Sequence, residues 1–520
     1  MSERSNLSNT RAAWSLSRVL LVNLLVHAAA MLAMAALLLP MMPGGGVSDV
    51  ERIAALAEHP WTFRIGWWPW HACAAADVWL AVAVVRSPLL PRGPSVIALL
   101  FTLVAVLLDQ AGQIRWVTGG LELAREAHAS GSLGTYLDFE AGVFDLTAVT
   151  GALGYTLATV FWVLAFDEGG LLGRRGRVIS ALVLTVMLTV TAGPMLPAPL
   201  TLPAPLIAPG NAIGFVLLLA WFWVLADSAL LRTRDPAAFH PRDVPWRAPR
   251  GGWVSRVLEF IANDRVVTAL MEPLPAFAMK SRVRDVVYVN YLVPAERLLP
   301  LVPPGLTLDR LGPDGRWALF TFLTFGHRGF GLRMMGPLRR LMPDALQTNW
   351  RIHVLCPHTQ HRGIHFVTNA IDHLAFALGA RMFAEAMPMH WLAHAEITRR
   401  NDSLTLHLDP GTGSGPDAAG ELRPRPDSAW EGAWAEVWPT RGAFLGYCVP
   451  QHRALSSQPW RARVTRQEIH LGIRCEDCVD YEGEVRSRAA EAIAGDERPL
   501  TFVAPEVDFS FESEHHDPSE

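Results

Sequence analysis

The clearest structural signal lies in residues 347–397, which read QTNWRIHVLCPHTQHRGIHFVTNAIDHLAFALGARMFAEAMPMHWLAHAEI. Asn349, Arg351 and His353 alternate with large apolar residues, and a period of two is typical of a strand with two unlike faces. A polar turn, a second strand, an alanine-rich helix and a return into a third strand, marked by Pro388, follow. The stretch therefore predicts a sheet in which one strand turns a polar face into a folded domain.

This order of elements resembles the core of the acetoacetate decarboxylase superfamily, and more closely its branch of proteins of unknown function. The likeness lies in a strand with Asn349, a strand led by Gly363, Asp372, a helix with Ala-Arg, and a Met-Pro turn at Met387. The Val-Pro-Pro-Gly-Leu passage at 302–306 is similar to that branch as well. The resemblance covers about residues 283–473 and implies an α+β, mostly-β domain. Its antiparallel sheet is expected to be closed or cone-like around a central pocket.

Length and composition indicate more than one domain. The 520 residues exceed what one core usually holds, and the charges, 18% of all residues, crowd into the second half. We predict an all-α transmembrane bundle of about six helices in residues 1–232 and a Pro- and Gly-rich linker in 233–254. Residues 255–520 are predicted to form a cytoplasmic domain with the acetoacetate-decarboxylase-like fold. The net charge of −4 provides no electrostatic footprint for nucleic acid.

Six apolar stretches are long enough to cross a hydrocarbon core of about 30 Å. They lie near residues 19–40, 65–85, 96–116, 143–166, 178–196 and 207–231. Arginines cluster in the N-terminal tail, in the second and fourth loops and after the sixth stretch, as they do in cytoplasmic loops. The sequence therefore predicts a multi-pass protein of the cell membrane, with the lipid bilayer as its partner and both termini in the cytoplasm.

Ionisable residues inside these stretches are costly in hydrocarbon, so they suggest a function. They are His27, His71, Asp77, Asp109 and Asp145. His27 and Asp77 are expected at a similar depth on neighbouring helices. The sequence leaves three roles open, namely hydrogen bonds between helices, a helix cap at Asp145, and a path for a proton or ligand.

A set of polar residues is expected to line the pocket of the C-terminal domain. These candidate ligand-binding residues are Asn349, Arg351, His353, His365, Asn369, Arg381, Glu385 and His390. By alternation, the first three share one strand face, and His365 and Asn369 share a face of the next strand. Arginine holds a carboxylate through two hydrogen bonds, and His or Glu moves protons. The pocket is therefore expected to bind a small organic ligand that the sequence does not identify, and Arg351 favours an anionic one.

The reaction that names the superfamily is not expected here. The resemblance implies a Schiff base on one of two adjacent lysines after a Pro turn, with a pKa lowered by the neighbouring cation. The matching positions are Met389 and His390, and the only lysine of the chain is Lys280, which precedes the first strand. A carboxylate expected after Asn349 is also replaced, by Trp350 and Arg351.

No cofactor or metal site is predicted. Two histidine pairs have ligand-like spacing but no acidic or cysteine partner, namely His358 with His361 and His390 with His394. Cys475 and Cys478 form a lone CxxC. Three functions stay open: ligand binding in the soluble pocket, an enzyme of unknown reaction in that pocket, and a transporter or sensor that uses the membrane bundle. The sequence does not set the oligomeric state.

Several weaker patterns predict the structure of other segments of the C-terminal half. Residues 255–271 have helical spacing and are expected either to lie on the membrane surface or to pack on the soluble domain. The arginine-rich segment 328–343 is a basic excursion that faces solvent, an acidic ligand or anionic lipid. A loop or a long, mobile hairpin tip is expected at 401–428. Strand-like alternation returns at 443–447 and 461–473, and the acidic tail beyond Glu506 is expected to fray.

Overall fold

The structure is a computed structural model that describes residues 2–43, 46–193, 204–231, 244–264, 267, 271, 277–425, 430–449, 452–458 and 463–518. It divides into two compact units, Met1–Arg234 and Asp235–Glu520. The first unit is helical and the second is built mostly from strands. The predicted combination of a helical N-terminal region with a strand-rich C-terminal domain is therefore confirmed.

The N-terminal unit consists of helices with short π and 3₁₀ segments at their ends. Its helices are α1 Ser2–Ala33, α2 Asp49–Glu58, α3 Pro60–Arg86, α4 Arg92–Arg115, α5 Leu121–Ser130, α6 Gly134–Phe144, α7 Ala152–Glu168, α8 Arg174–Ala192 and α9 Ala204–Leu231. The π segments are Met34–Leu38, Trp116–Gly120 and Asp145–Gly151, and a 3₁₀ turn spans Leu39–Met41.

Six of the described helical segments are long and apolar enough to cross a membrane. They are Ala12–Met41, Pro60–Arg86, Arg92–Ser130, Gly134–Glu168, Arg174–Ala192 and Pro209–Leu231. Each overlaps one predicted stretch, so the prediction of six spans is confirmed at the level of length and composition. The end of the fifth predicted stretch, residues 194–196, lies outside the described residues.

Small residues let the helices of this unit pack closely. A Cβ atom added at Gly154 in α7 would lie 2.9 Å from the Cβ of Ala105 in α4. A Cβ added at Gly112 would lie 2.5 Å from Cγ2 of Thr147. Such small-residue contacts are typical of helix pairs in membranes, where backbones approach without a hydrophobic driving force.

The C-terminal unit contains fourteen described strands and six described α-helices. The strands are β1 Met279–Pro294, β2 Thr307–Leu308, β3 Trp317–Leu332, β4 Ala345–Leu355, β5 Arg362–Ile371, β6 His390–Trp391, β7 His394–Arg400, β8 Ser403–Asp409, β9 Ala418–Pro424, β10 Arg453–Gln458, β11 Arg463–Leu471, β12 Val479–Arg486, β13 Leu500–Ala504 and β14 Val507–Pro518. The helices are α10 Trp253–Asn263, α11 Ala295–Leu298, α12 Leu374–Phe383, α13 Ala433–Val437, α14 Arg441–Cys448 and α15 Arg488–Ala494. Three 3₁₀ segments span Leu299–Leu301, Arg333–Leu341 and Cys475–Asp477.

Seven of these strands close into a barrel. Their order is β14-β11-β10-β5-β4-β3-β1, and β14 pairs with β1 to complete the ring. All but one of the pairings are antiparallel; β10 lies parallel to β5. The expected closed sheet is therefore confirmed.

Strand β1 has two partners on the same edge. Met279–Val283 pairs with β14, and Val286–Asn290 pairs with β13, which begins the outer sheet β13-β12-β9-β8-β7. Between the two halves Asp285 has φ 49°, a left-handed conformation that Asp tolerates better than most residues. The irregularity bends the strand and lets one chain segment belong to both the barrel and the outer sheet.

Apolar side chains fill both sides of the barrel wall. Inside, Phe366 and Phe509 belong to a core that also includes Phe444 of α14. Outside, a second core joins the barrel to the outer sheet, and there Phe322 stacks on Trp350 with ring centroids 4.4 Å apart. The polar residues of the barrel interior are thus enclosed by apolar layers.

Three sequence expectations about this unit are wrong. At 401–428 the loop alternative is wrong, because Leu404, Leu406 and Leu408 alternate and are buried, and β8 and β9 pair there as an antiparallel hairpin. The predicted strand at 443–447 lies in α14, whose first turn is capped by the Thr440 hydroxyl accepting from the Ala443 N–H. The predicted frayed tail is β14, the strand that closes the barrel.

The described part of the predicted linker packs on the C-terminal unit. Trp246 is fully buried, and Asn263 donates a hydrogen bond of 2.7 Å to its carbonyl oxygen. Helix α10 packs Leu258 and Ala262 on α12 residues Leu374 and Leu378. The helix expected at 255–271 is thus present over Trp253–Asn263, and one of its faces lies against α12 of the C-terminal unit.

Candidate functional site

The inner face of β4 carries four polar residues in succession. Gln347, Asn349, Arg351 and His353 are each at most 4% exposed. The apolar residues between and beside them, Leu346, Trp350, Ile352 and Val354, pack in the outer core. The alternation expected for this strand is therefore present, and it directs an amide, a guanidinium and an imidazole into the barrel.

A β-bulge in β5 separates two residues that the alternation had placed together. Trp350 of β4 pairs with Thr368, but the next residue, Arg351, pairs with Phe366, so Val367 is the extra residue. As a result Asn369, opposite Asn349, faces the barrel, whereas His365, opposite Ile352, faces the outer core. The expectation that His365 and Asn369 share a face is wrong, because one inserted residue reverses the direction of all that follow.

Arg351 is a buried cation without a counter-charge among the described residues. Its NH2 donates to the carbonyl oxygen of Cys448 at 3.0 Å, and its guanidinium lies 5.5 Å from the ring centre of Tyr288. Its Nε has no hydrogen-bond partner, and it forms no ion pair within the described part of the chain. Burying a guanidinium in this way is costly, since no carboxylate of the described residues compensates for its charge.

Arg351 and Asn349 border a small cavity inside the barrel. The other lining residues are apolar: Val283, Val286, Leu323, Phe325, Ile469, Leu471, Phe509 and Phe511. The free space between them is about 20 Å³, which is room for about one water molecule. A larger molecule enters only when these side chains move.

His353 lies beside Arg351 on the same strand. Its ring stacks on Tyr447 with centroids 4.6 Å apart, and its Nε2 has no partner among the described residues. Burial, and to a smaller degree the Arg351 cation, holds the pKa of His353 well below its ordinary value. The imidazole is therefore neutral near pH 7 and can accept a proton only from a strong donor.

Asn369 adds a second group with unmet hydrogen-bonding capacity. It is fully buried, and neither its side-chain oxygen nor its nitrogen has a partner among the described residues. Buried amides are nearly always paired, because an unpaired one costs about 1–3 kcal/mol. Together with Arg351, Asn369 marks the barrel interior as a place suited to a polar ligand.

A chain of hydrogen bonds that sequence reasoning missed extends from this set. Ser281 shares a hydrogen bond with His327 Nδ1 at 2.8 Å, and His327 Nε2 lies 2.8 Å from the Gln347 amide oxygen. Gln347 in turn donates to the Asn349 amide oxygen at 2.6 Å. Alternation could have identified Gln347 from the sequence, because it lies two residues before Asn349 on β4 and therefore on the same face.

Three other candidates lie on the helix and loop after β5. Arg381 donates to the carbonyl oxygens of Ala262 and Val244, so it fastens the segment before β1 to α12. His390 Nδ1 lies 2.7 Å from the Ser414 hydroxyl, and burial, with a smaller effect of Arg381, lowers its pKa to about 3. His390 pairs with Ala370, which belongs to the outer core, so it is directed away from Arg351.

Glu385 is also buried, at the end of α12. The backbone N–H groups of Glu385 and Ala386 both donate to Glu514 Oε1, at 2.9 and 3.0 Å. The following loop turns Met387 and Met389 into the inner core, and Met387 Sδ lies 3.7 Å from Gln347 Nε2. The loop therefore covers the barrel with apolar side chains at the place where the resemblance implies lysines.

Lys280 lies on β1 between Met279 and Ser281, whose paired residues Phe511 and Phe509 face the inner core. Alternation therefore directs Lys280 to the outside of the barrel. Within the described residues no group of three or more His, Cys, Asp or Glu side chains is arranged to hold a metal ion.

Polar residues of the N-terminal unit form two connected groups. His27 Nε2 lies 3.8 Å from Asp77 Oδ2, and His27 Nδ1 lies 2.9 Å from the carbonyl oxygen of Asn23. In the second group, His71 Nδ1 lies 2.6 Å from the Gln110 amide oxygen, and Gln110 donates to Asp109.

Asp109 is the most connected of these residues. It accepts from Gln113 at 2.9 Å and from the Tyr155 hydroxyl at 3.5 Å, so the second group joins α3, α4 and α7. His27, His71, Asp77 and Asp109 thus contact polar partners on neighbouring helices. Asp145 instead begins the π segment between α6 and α7.

Comparison with protein families agrees with the predicted resemblance. Residues 280–508 match the family DUF2071, described as an uncharacterized conserved protein. No curated protein matches the chain.

Solved structures with a similar fold include an acetoacetate decarboxylase, an acetoacetate decarboxylase-like enzyme and a biosynthesis enzyme. Acetoacetate decarboxylase from Legionella pneumophila subsp. pneumophila is 10% identical over 46% of this chain and 88% of its own, with a TM-score of 0.34. An acetoacetate decarboxylase-like enzyme from Sphingomonas wittichii is 12% identical, over 47% and 95%, with a TM-score of 0.34. The enduracididine biosynthesis enzyme MppR is 12% identical, over 47% and 89%, with a TM-score of 0.33. At these identities the likeness concerns the fold alone.

Proposed function

We propose that the barrel of the C-terminal unit binds a small organic carboxylate, with Arg351 as its anchor and without Schiff-base chemistry. The observation that carries this proposal is the buried guanidinium, whose Nε is unpaired and which forms no ion pair among the described residues. A bound carboxylate supplies the missing charge and accepts from the free N–H groups in the two-point geometry that arginine favours. The ligand thereby relieves a cost that the empty barrel bears.

The surroundings of Arg351 favour a short ligand with an apolar tail. Leu323, Phe325 and Phe509 face the same cavity, while Asn349 offers an amide. Because the free space is only about 20 Å³, binding requires these side chains to move. We therefore expect ligands of a few carbon atoms to bind more readily than long or branched ones.

The positions of the nitrogen nucleophiles support the expectation that the barrel carries out no imine chemistry. Met389 cannot form an imine, His390 is bonded to Ser414, and Lys280 lies on the outer side of β1. These observations support a binding role over decarboxylation. An enzyme that uses the polar interior for another reaction stays the alternative, since His353 and Asn369 have free hydrogen-bonding capacity.

A matched ligand panel tests the proposal. The purified full chain is titrated with acetate, butyrate and acetoacetate, and in parallel with the corresponding amides, by isothermal calorimetry. We expect heat of binding from the carboxylates and none from the amides, because only the carboxylates neutralise Arg351. Equal binding of acids and amides would contradict the proposal, because it would show that the charge of Arg351 does not matter. A covalent adduct with acetoacetate that borohydride traps would instead support decarboxylation through a Schiff base.

A second candidate function belongs to the N-terminal unit. The contact between His27 and Asp77 and the bonds around Asp109 support proton transport through the helices. In vesicles that contain the full chain, an imposed pH gradient should dissipate faster than in empty vesicles, and Asp77→Asn should abolish the difference. Unchanged proton flux in Asp77→Asn would contradict proton transport through these residues and leave them with a structural role, as hydrogen bonds between helices.

The orientation of the chain remains a prediction from its arginines. Because Arg232 and Arg234 follow the sixth span and Arg174 to Arg177 follow the fourth, we expect a reporter enzyme fused after Glu520 to be active in the cytoplasm. The comparison uses one reporter that functions only in the cytoplasm and one that functions only outside it. Activity of the second reporter would reverse the orientation and the compartment of the barrel.

A further inference from the structure

Helix α10 leaves an apolar face exposed although its opposite face is packed. Leu258 and Ala262 lie against α12, whereas Trp253, Val257 and Phe260 are 75%, 48% and 58% exposed. The three exposed residues recur at intervals of four and three, which places them on one stripe of the helix. A face of this kind is costly in water, so it indicates a partner.

A second exposed apolar segment lies after β3. In the 3₁₀ segment Arg333–Leu341 the side chains of Met334, Leu338 and Leu341 are 82%, 60% and 81% exposed. The chain kinks at Gly336, which has φ 52°. The segment therefore presents three large apolar side chains to the exterior with little packing beneath them.

Both segments border helix α12. Its residues Leu374 and Leu378 contact α10, and Phe376 contacts Phe330, three residues before the 3₁₀ segment. The N–H of Arg333 also donates to the carbonyl oxygen of Ala278, next to Phe277, which is 50% exposed. The exposed apolar residues thus belong to one end of the barrel, where β1 begins.

Positive charges accompany these apolar residues. Arg256 lies on α10, and Arg328 and Arg340 lie beside or within the 3₁₀ segment; all three are exposed. None of the three forms an ion pair in the described part of the chain, whereas Arg333 is paired with Glu512. Apolar side chains interleaved with unpaired arginines are complementary to the surface of an anionic bilayer.

We propose that this end of the barrel, formed by α10, Phe277 and the 3₁₀ segment, lies on the surface of an anionic lipid bilayer. Met334, Leu338 and Leu341 enter the boundary between headgroups and acyl chains, and Arg328 and Arg340 contact lipid phosphates. A bilayer is favoured over a protein partner because Trp253 follows the end of the sixth apolar helix by only 22 residues. That tether keeps the unit at a high effective concentration near lipid, so even a modest affinity holds it there.

A depth measurement on the full chain tests this surface. A solvent-sensitive fluorophore is attached at Leu341→Cys in a Cys475→Ser background, because the other described cysteines are buried. The matched control is Leu299→Cys, which is 43% exposed and follows the opposite end of β1. Both proteins are placed in lipid nanodiscs of phosphatidylcholine, with or without about 30 mol% phosphatidylserine, and quencher-labelled lipid is added.

We expect the label at 341 to shift to the blue and to be quenched several-fold more than the label at 299 in the anionic discs. Removing phosphatidylserine, or introducing Arg340→Gln with Arg328→Gln, should reduce that quenching, and so should high salt. Equal quenching at 341 and 299 would overturn the proposal. A blue shift at 341 without lipid quenching would also overturn it, because it would assign the surface to a protein partner.

Discussion

Replacing Arg351 with methionine is expected to abolish carboxylate binding and, at the same time, to stabilise the ligand-free C-terminal unit. The two effects have one cause, which is the buried guanidinium without a counter-charge. Replacing a buried charge by an apolar side chain of similar volume is often stabilising, by about 1–4 kcal/mol. Losing the charged partner of a buried carboxylate costs about 2–5 kcal/mol of binding, which is roughly 30-fold or more in Kd.

Two measurements on the full chain separate these effects. Hydrogen exchange of peptides from β4 reports the stability of the barrel, and calorimetry reports binding. We expect slower exchange and no heat of binding for Arg351→Met. The control is Lys280→Arg, which changes a cation on the outer side of the wall and should alter neither quantity. Normal binding by Arg351→Met would show that another group anchors the ligand.

The second large effect is expected from acid. Burial lowers the pKa of both His327 and His365 to about 4, and that of His390 to about 3. In the unfolded chain these residues have a pKa near 6.5, so below that pH the unfolded state binds protons that the folded state does not bind. Their stabilising contribution is therefore complete above pH 6.5 and is lost as the pH falls towards 4. Each histidine changes the free energy of unfolding by at most about 1.4 kcal/mol per pH unit.

We therefore expect the C-terminal unit to unfold at a much lower urea concentration at pH 5 than at pH 7. Pulsed proteolysis of the full chain, with the C-terminal fragment followed on a gel, gives the urea midpoint at each pH. His365→Gln keeps a donor for the Leu455 carbonyl and should reduce the dependence on pH by about one proton. His394→Gln, at an exposed position, should not change it. A midpoint independent of pH between 7 and 5 would contradict the burial of neutral histidines.

The polar interior gives both results a common interpretation. Arg351 and Asn369 are buried with unmet hydrogen-bonding capacity, and His353 is held neutral beside them. Such groups reduce stability in the empty barrel, which natural proteins tolerate mainly where a ligand or reaction needs them. An apolar barrel of the same topology would be more stable but would offer nothing for a carboxylate to bind.

Local sequence patterns were sufficient for the parts of this protein that depend on local physics. Six candidate spans follow from runs of apolar residues, because the ability to cross a bilayer depends on the length and composition of one segment. The polar face of β4 follows from the alternation of Asn349, Arg351 and His353, because successive side chains in a strand point to opposite sides. The lack of a lysine after Pro388 likewise needs no structure to be seen.

Tertiary structure decided which of the predicted ligand-binding residues lie close together. The bulge at Val367 turned His365 away from Asn369, and a bulge depends on the pairing with β4, which no local period reveals. Arg381 binds the segment around Ala262, and His390 is directed away from Arg351 because it pairs with Ala370 of the outer core. The acidic strand β14 completes the barrel because it pairs with β11 on one side and with β1 on the other. Sequence alone therefore determined the apolar segments and the polar face of β4, whereas partners distant in the chain determined which of the other residues lie near the buried cation.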